Sequence, residues 1–165
     1  MTVVQVPRRF VRTEWGGTET VVAETGRRLI GRGHRIEILC PDALADRAFD
    51  VIEGVPVRRY PYFYPFLGLS RTAWNDMDRK GGNLFSFSLW EALRIYPGLD
   101  LIHLHTGKRL GGICRTVARS RRIPYVVSLH GGVYDVPASE AATWTAPAKN
   151  ALEWGKLLEI GRAHV

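Results

Sequence analysis

Three histidines stand where an imidazole can do chemistry. His103 and His105 lie two residues apart in the run LDLIHLH, and His130 ends the run YVVSLH. An imidazole can transfer a proton, donate a hydrogen bond or bind a metal ion near neutral pH. Residues two apart on a strand project to the same face of its sheet, so the side chains of His103 and His105 are predicted to point together.

Each histidine has more than one interpretation. An H-x-H strand can begin a metal site, but zinc or iron needs further ligands, and only His130 and Asp135 offer themselves. In the other interpretation, His103 packs within the sheet and His105 is a polar residue lining the strand end. His130 suits a hydrogen bond to a sugar hydroxyl or a phosphate, or proton transfer, and equally a structural bond to a neighbouring loop.

Glycines and basic residues accompany the histidines. Gly16-Gly17 precedes a predicted helix, whose positive end and N–H groups attract a phosphate. The alternative is that this glycine pair only permits a positive φ at the helix entry. Lys108 and Arg109 follow the LDLIHLH run and can bind a phosphate or a carboxylate.

The elements that must position these residues alternate along the chain. Apolar β-type runs predict strands over residues 3–6, 34–40, 55–60, 99–105 and 125–130, and amphipathic spacing predicts helices over 18–32, capped by Thr18, and over 84–94 and 111–122. This order predicts an α/β fold with a Rossmann-like, doubly wound parallel sheet. Ligands of such sheets bind outside the carboxyl ends of the strands, which is where the glycines, histidines and basic residues fall.

Residues 60–95 interrupt this order with an irregular or helical excursion rich in aromatic side chains. This excursion contains an aromatic cluster, which consists of Tyr60, Tyr62, Phe63, Tyr64 and Phe66. They can stack on sugars or bases, or bury against a lipid-bearing acceptor. The alternative is that they pack the excursion onto the domain.

Composition restricts the classes of protein further. The 165 residues suit one domain, and no apolar run approaches the roughly 18–20 residues needed to span a bilayer. The net charge of +7 suits nucleic acid, an anionic membrane surface or a phosphorylated substrate. No Ser-His-Asp spacing, C-x-x-C pair or Walker loop occurs. The N-terminus lacks the order of a secretory signal, which predicts a cytoplasmic protein.

The last six residues, IGRAHV, are similar to the translation of a sequencing-library adapter. Residues 160–165 are therefore interpreted as a non-native tail, and residues 1–159 as one N-terminal domain of a longer protein.

Several of these segments, in order, resemble the start of the family 4 retaining glycosyltransferases. They are GGTETVVAETGRRLIGRGHRIEIL from Gly16, DLIHLH from Asp100, and IPYVVSLHGG from Ile123. The resemblance covers nearly all of residues 2–159. It implies the acceptor-side half of a GT-B architecture, in which two Rossmann-like domains face each other across a cleft.

The resemblance also implies an activity and a set of site residues. A sugar would move from a nucleotide-sugar donor to a carbohydrate or lipid-linked acceptor with retention, without a metal or other cofactor. Gly16 and Gly17 would approach the donor phosphates, and His130 would lie near the transferred sugar as the catalytic residue. The expected acceptor-side residues are His105, Lys108, Arg109, Asn83 and Gly131. Because the family's second half is absent from the sequence, the chain alone is expected to be inactive. A peripheral contact with the inner face of the membrane is a further expectation.

Three other functions compete with this one. The first is a non-catalytic Rossmann-like module that binds a nucleotide or a phosphorylated ligand. The second is a nucleic-acid binder, which would show steep salt dependence but lacks a recognition motif, so no nucleic-acid partner is expected. The third is a metal-dependent hydrolase built on His103 and His105.

Overall fold

The computed structural model describes residues 1–65 and 68–130. The chain divides into two compact units, Met1–Ser128 and Leu129–Val165, and every helix and strand named here lies in the first. The strands are β1 (Thr2–Val6), β2 (Arg35–Pro41), β3 (Phe49–Ile52), β4 (Val55–Tyr60), β5 (Leu101–Leu104) and β6 (Tyr125–Val127). The helices are α1 (Gly17–Gly31), α2 (Arg71–Lys80), α3 (Phe87–Ile95) and α4 (Lys108–Arg121).

The six strands form one sheet in the order β3-β4-β2-β1-β5-β6. All neighbouring strands are parallel except β3 and β4, which form an antiparallel hairpin. Strands β2 and β4 lie on one side of β1, and β5 and β6 lie on the other. The strand order therefore reverses between β1 and β5, which is the switch point of an open α/β sheet.

Helices cover both faces of this sheet. Successive side chains of a strand point to opposite faces, so each face carries apolar residues that a helix can cover. Val22 of α1 joins a buried cluster with Val3 and Ile36, and Leu101 packs against that cluster. Leu104 points to the opposite face, since it lies three residues after Leu101, and there it contacts Gly111 of α4. The predicted Rossmann-like, doubly wound fold is confirmed.

The sequence prediction missed two elements. Strand β3 is a four-residue edge strand with exposed Phe49 and Val51, and the two-residue turn Glu53-Gly54 joins it to β4 with positive φ at both positions. Helix α2 is mostly polar, with only Ala73, Trp74 and Met77 as apolar residues, and its one fully buried residue is Asp78.

Helix boundaries also differ from the prediction. Thr18 does not cap α1: the N-cap is Gly16, and Glu19 accepts a hydrogen bond from its N–H, so the helix begins earlier. Helix α4 begins at Lys108, directly after the loop that follows β5, rather than at residue 111. Helix α3 begins at Phe87, because the Ser86 hydroxyl caps it by accepting from the Leu89 N–H.

Candidate functional site

Two loops leave the carboxyl ends of the strands that flank the switch point. The first, residues 7–16, joins β1 to α1, and the second, residues 105–107, joins β5 to α4. Both α1 and α4 have a glycine at the N-cap, Gly16 and Gly107, and neither N-cap makes a side-chain capping bond. The structure thus places Gly16-Gly17 and Lys108 at one edge of the sheet, as the sequence predicts.

Arg8 fixes the first loop to the end of α2. Its guanidinium donates to the carbonyl oxygens of Met77 (2.6 Å), Asp78 (2.7 Å) and Gly82 (3.1 Å), and to the Tyr64 hydroxyl (2.9 Å). The last carbonyls of a helix carry partial negative charge, so a guanidinium is well suited to them. Arg8 therefore joins the β1–α1 loop to the excursion.

Arg9 and Glu19 complete the start of α1. Arg9 Nε lies 3.6 Å from the Glu19 carboxylate, which is buried and accepts from the Gly16 N–H at 3.1 Å. A carboxylate in the first turn complements the positive end of the helix. The N–H of the N-cap is therefore satisfied by the protein's own Glu19.

The glycine pair does not need a positive φ. Gly16 has φ −142°, and Gly17 is the first residue of α1. A Cβ atom on Gly17 would meet no atom within 4 Å, whereas one on Gly16 would lie 3.3 Å from Glu19 Oε2. The positive-φ explanation of the pair is therefore wrong, and the backbone at Gly17 is open to a ligand.

Further contacts hold the remainder of the first loop. Phe10 is fully buried, and its carbonyl accepts two hydrogen bonds from the buried Arg59 guanidinium, at 2.9 and 3.1 Å. Trp15 Nε1 donates to the Thr20 hydroxyl at 3.0 Å, and that hydroxyl donates to the Gly16 carbonyl at 2.9 Å. The loop is thus fixed in position before any ligand binds.

The second loop is built differently. Lys108 is exposed and has φ +61°, a conformation that costs a residue with a Cβ energy. The first turn of α4 contains no acidic residue. Asn83 Oδ1 accepts from the Arg109 N–H at 3.1 Å, and the Asn83 carbonyl accepts from the Arg109 guanidinium. The structure thus brings together Asn83, Lys108 and Arg109.

The two strand histidines lie on one face, as predicted, with ring centroids 4.0 Å apart. His105 is buried, and its Nε2 lies 3.0 Å from the Gln5 side-chain amide. His103 is partly exposed, and its Nε2 lies 2.8 Å from the Ser128 hydroxyl. The interpretation that placed His103 inside the sheet and His105 at its lining is reversed by this burial.

Gln5 gives the buried His105 ring a hydrogen-bond partner. With its amide nitrogen directed at the ring, Gln5 donates to His105 Nε2 and to the Val22 carbonyl, and its oxygen accepts from the Gly26 N–H at 3.2 Å. In this arrangement Nε2 of His105 is an acceptor, so a neutral ring carries its proton on Nδ1. Gly26 is required here, since a Cβ atom on it would lie 2.9 Å from the Gln5 amide.

The remaining sequence-predicted site residues belong to the second unit. His130 is exposed, whereas Gly131 and Asp135 lie outside the described residues, as do Phe66 and the tail 160–165. Within residues 1–65 and 68–130, no group of three or more His, Cys, Asp or Glu side chains is placed to hold a metal ion.

The aromatic cluster divides between two environments. The hydroxyls of Tyr62 and Tyr64 donate to the buried Asp78 carboxylate, at 2.5 and 2.9 Å. Trp74 Nε1 donates to the Tyr62 hydroxyl at 3.0 Å. Burial, reinforced by the Asp78 hydrogen bond, raises the pKa of both tyrosines, that of Tyr64 to about 12. These tyrosines pack the excursion onto the domain, but Phe63 is exposed.

Further residues that sequence patterns did not single out shape this edge. Arg8 and Arg9 come shortly after the predicted strand 3–6, just as Lys108 and Arg109 come shortly after the predicted strand 99–105, so the same rule would have found them. Asp42 directly follows β2 at the same edge, and burial raises the pKa of its carboxyl group. Asp78 had no signal in the sequence, because its role depends on tyrosines brought to it by folding.

The fold and these strand-end loops define a Rossmann-like α/β domain with a ligand-accessible edge at its switch point. Residues 16–156 match the family described as glycosyl transferase 4-like domain. This segment covers most of the chain, and it includes Gly16 at the end of the first switch-point loop and the whole of the second loop. The chain belongs to that family. The resemblance to family 4 glycosyltransferases is thereby confirmed. No curated protein matches the chain, and no helix within residues 1–65 and 68–130 is long and apolar enough to cross a bilayer.

Proposed function

We propose that this chain forms the acceptor side of a retaining glycosyltransferase that uses a nucleotide-sugar donor. The observation that carries this proposal is the family match over residues 16–156. The switch-point edge supports it, because that edge is where ligands of open α/β sheets bind.

The proposed roles follow from the positions of the residues. Gly17 lets the donor diphosphate approach the backbone at the start of α1, since nothing lies within 4 Å of its missing side chain. Lys108 and Arg109 supply positive charge from the second loop, and Asn83 fixes Arg109 by two hydrogen bonds. His105 acts from beneath the edge as a positioning residue, because it is buried.

His130 and Gly131 remain proposed site residues of the second unit, with His130 near the transferred sugar. We propose that neither a metal ion nor another cofactor takes part. The leaving diphosphate would instead be stabilised by basic side chains and helix dipoles.

We also propose that the 165-residue chain does not turn over by itself. Transfer needs a closed, water-excluding cleft in which donor and acceptor are held together. In the family resemblance, the groups that hold most of the donor belong to a second Rossmann-like domain. A peripheral contact with the inner face of the membrane is compatible with this role.

The test uses the chain with two sets of probes. Saturation-transfer NMR measures contact with simple saccharides such as maltose and mannose, and with UDP-glucose and GDP-mannose. Release of UDP or GDP measures turnover in the same samples. We expect contact with a saccharide, weak contact with the nucleotide sugars, and no nucleotide release.

The competing function is a non-catalytic module that binds a nucleotide or phosphate, and the first turn of α4, which carries Lys108 and Arg109 and no acidic residue, favours it. Tight binding of UDP or GDP without any saccharide contact would establish that module instead. Steady nucleotide release by the chain alone would contradict the proposed inactivity.

A further inference from the structure

Residues 62–64 reverse the usual distribution of polar and apolar side chains. Tyr62 and Tyr64, which carry hydroxyls, face Asp78 in the interior, whereas Phe63 between them faces solvent with 37% of its surface exposed. A buried carboxylate needs hydrogen-bond donors, which explains the inward tyrosines. The exposed part of the Phe63 ring is unfavourable in water, so a partner that covers it would be stabilising.

Phe63 belongs to a larger apolar surface. The phenylalanine patch consists of Phe63, Phe85 and Phe87, whose ring centroids lie 4.8 to 5.8 Å apart. Phe87 is 64% exposed, and Phe85 is half-buried between the two. Clustered exposed apolar side chains mark surfaces that contact another molecule.

The patch is held in place by backbone hydrogen bonds. The N–H of Phe63 donates to the Phe85 carbonyl and the N–H of Phe85 donates to the Phe63 carbonyl, both at 2.9 Å. Ser86 donates to the Pro61 carbonyl at 2.7 Å and also caps α3. The three rings are therefore presented on a fixed frame.

The patch adjoins the switch-point edge. Phe85 is two residues from Asn83, which accepts from the N–H of Arg109 at the start of α4. Two residues span at most about 7 Å. A single amphipathic molecule can therefore place its polar head beside Asn83 and Lys108 and its apolar part on the phenylalanine patch.

The charges around the patch favour a neutral occupant. Glu91 lies one turn after Phe87 on α3, and its carboxylate pairs with Arg94 at 2.6 Å. An anionic lipid surface selects clusters of uncompensated lysine and arginine. Paired charges next to exposed rings suit a hydrocarbon chain better than a layer of anionic headgroups.

We propose that the phenylalanine patch binds the hydrocarbon tail of a lipid-linked sugar acceptor. This inference rests on the proposed function, since it assumes that the adjoining edge receives the acceptor's sugar. It selects the lipid-linked class from the acceptors that the proposed function allows.

The test uses decyl maltoside below its critical micelle concentration, a sugar headgroup on a ten-carbon tail. Maltose is the probe without a tail, and decyl dimethylamine oxide is the probe without a sugar. Affinities are measured by NMR titration for the wild type, Phe87→Ser and Phe63→Ser. Phe49→Ser is the matched control, because Phe49 is 57% exposed on β3, outside the patch. Circular dichroism checks the fold of every variant.

We expect decyl maltoside to bind more tightly than maltose. Phe87→Ser and Phe63→Ser should each weaken decyl maltoside binding about tenfold, since burying a phenyl ring is worth roughly that factor. Maltose binding should be unchanged in both, and Phe49→Ser should resemble the wild type.

Equal affinities of Phe87→Ser and Phe49→Ser for decyl maltoside would overturn the inference while leaving the proposed function standing. Equal binding of both ten-carbon probes at the patch would instead count against the proposed function, because the sugar would then contribute nothing. Binding to phosphatidylglycerol vesicles that requires Phe87, without binding of monomeric decyl maltoside, would assign the patch to a membrane surface and overturn the inference.

Discussion

The two helix N-termini beside the switch point are completed in opposite ways. At α1, the Gly16 N–H bonds to the buried Glu19 carboxylate, and Arg9 lies beside that carboxylate. At α4, the first turn carries no acidic residue, and Lys108 adopts a positive φ. The chain thus neutralises the first terminus with its own carboxylate. At the second terminus a neutral amide, Asn83, accepts from the Arg109 N–H, so that terminus stays basic, and its first residue is strained.

This difference indicates how the two loops divide the work of a site. The β1–α1 loop is a rigid support, because Arg8, Arg59 and Trp15 hold it from several directions. The start of α4 carries exposed positive charge on a backbone that folding alone does not favour. Strain of this kind is concentrated at functional sites.

The strongest test of the rigid support is Arg8→Met. Four hydrogen bonds from Arg8 to the end of α2 and to Tyr64 would be lost, so we expect the free energy of unfolding to fall by about 3 kcal/mol. Urea denaturation measures it. Arg12→Met is the control, because the exposed Arg12 donates one bond to the Val51 carbonyl and should cost about 0.5 kcal/mol or less. Equal losses in the two variants would show that Arg8 is not the main support.

A smaller effect is expected at alkaline pH. Burial raises the pKa of Tyr64 to about 12, above the value of roughly 10 in an unfolded chain. A raised folded-state pKa gives stability that is complete below pH 10 and is lost as the pH rises to about 12. Urea midpoints of Tyr64→Phe should therefore fall less steeply over this interval than those of the wild type. If the urea midpoints of the two proteins fell equally steeply with pH, the titration of Tyr64 would not contribute to stability.

The strain at the second loop predicts a gain in stability. Lys108→Gly should raise the free energy of unfolding by about 1 kcal/mol, because glycine adopts a positive φ without a steric penalty. Lys108→Ala removes the same charge but keeps the strain, so it should leave stability nearly unchanged. Thermal unfolding of both variants makes the comparison, and a less stable Lys108→Gly would show that the backbone is not strained there.

The smallest effect is expected at Gly17→Ala. Its Cβ atom would meet nothing within 4 Å, so stability should change by less than about 0.5 kcal/mol. Saccharide and nucleotide-sugar contacts, followed by saturation-transfer NMR, should weaken nonetheless if ligands approach this backbone. A large loss of stability in Gly17→Ala would show that the glycine is needed for folding rather than for ligand binding.

Sequence patterns predicted the parallel sheet and the glycines and basic residues at its carboxyl edge, because buried strands and strand-end glycines are local features. They did not predict β3, whose exposed Phe49 and Val51 lack the pattern of a buried strand. They also missed α2, since its buried residue is an aspartate. The burial of His105 depends on Gln5, one hundred residues away in sequence, and such pairings are made only by the fold.

We propose that ligands bind at the carboxyl edge between β1 and β5. Backbone amide shifts of the chain during titration with maltose and with UDP-glucose test this proposal most directly. We expect the perturbed amides to cluster at Gly16, Gly17, Gly107 and Lys108. Perturbations at Gly33 and Gly98, which precede β2 and β5 at the amino edge, with none at the glycine pair, would contradict it.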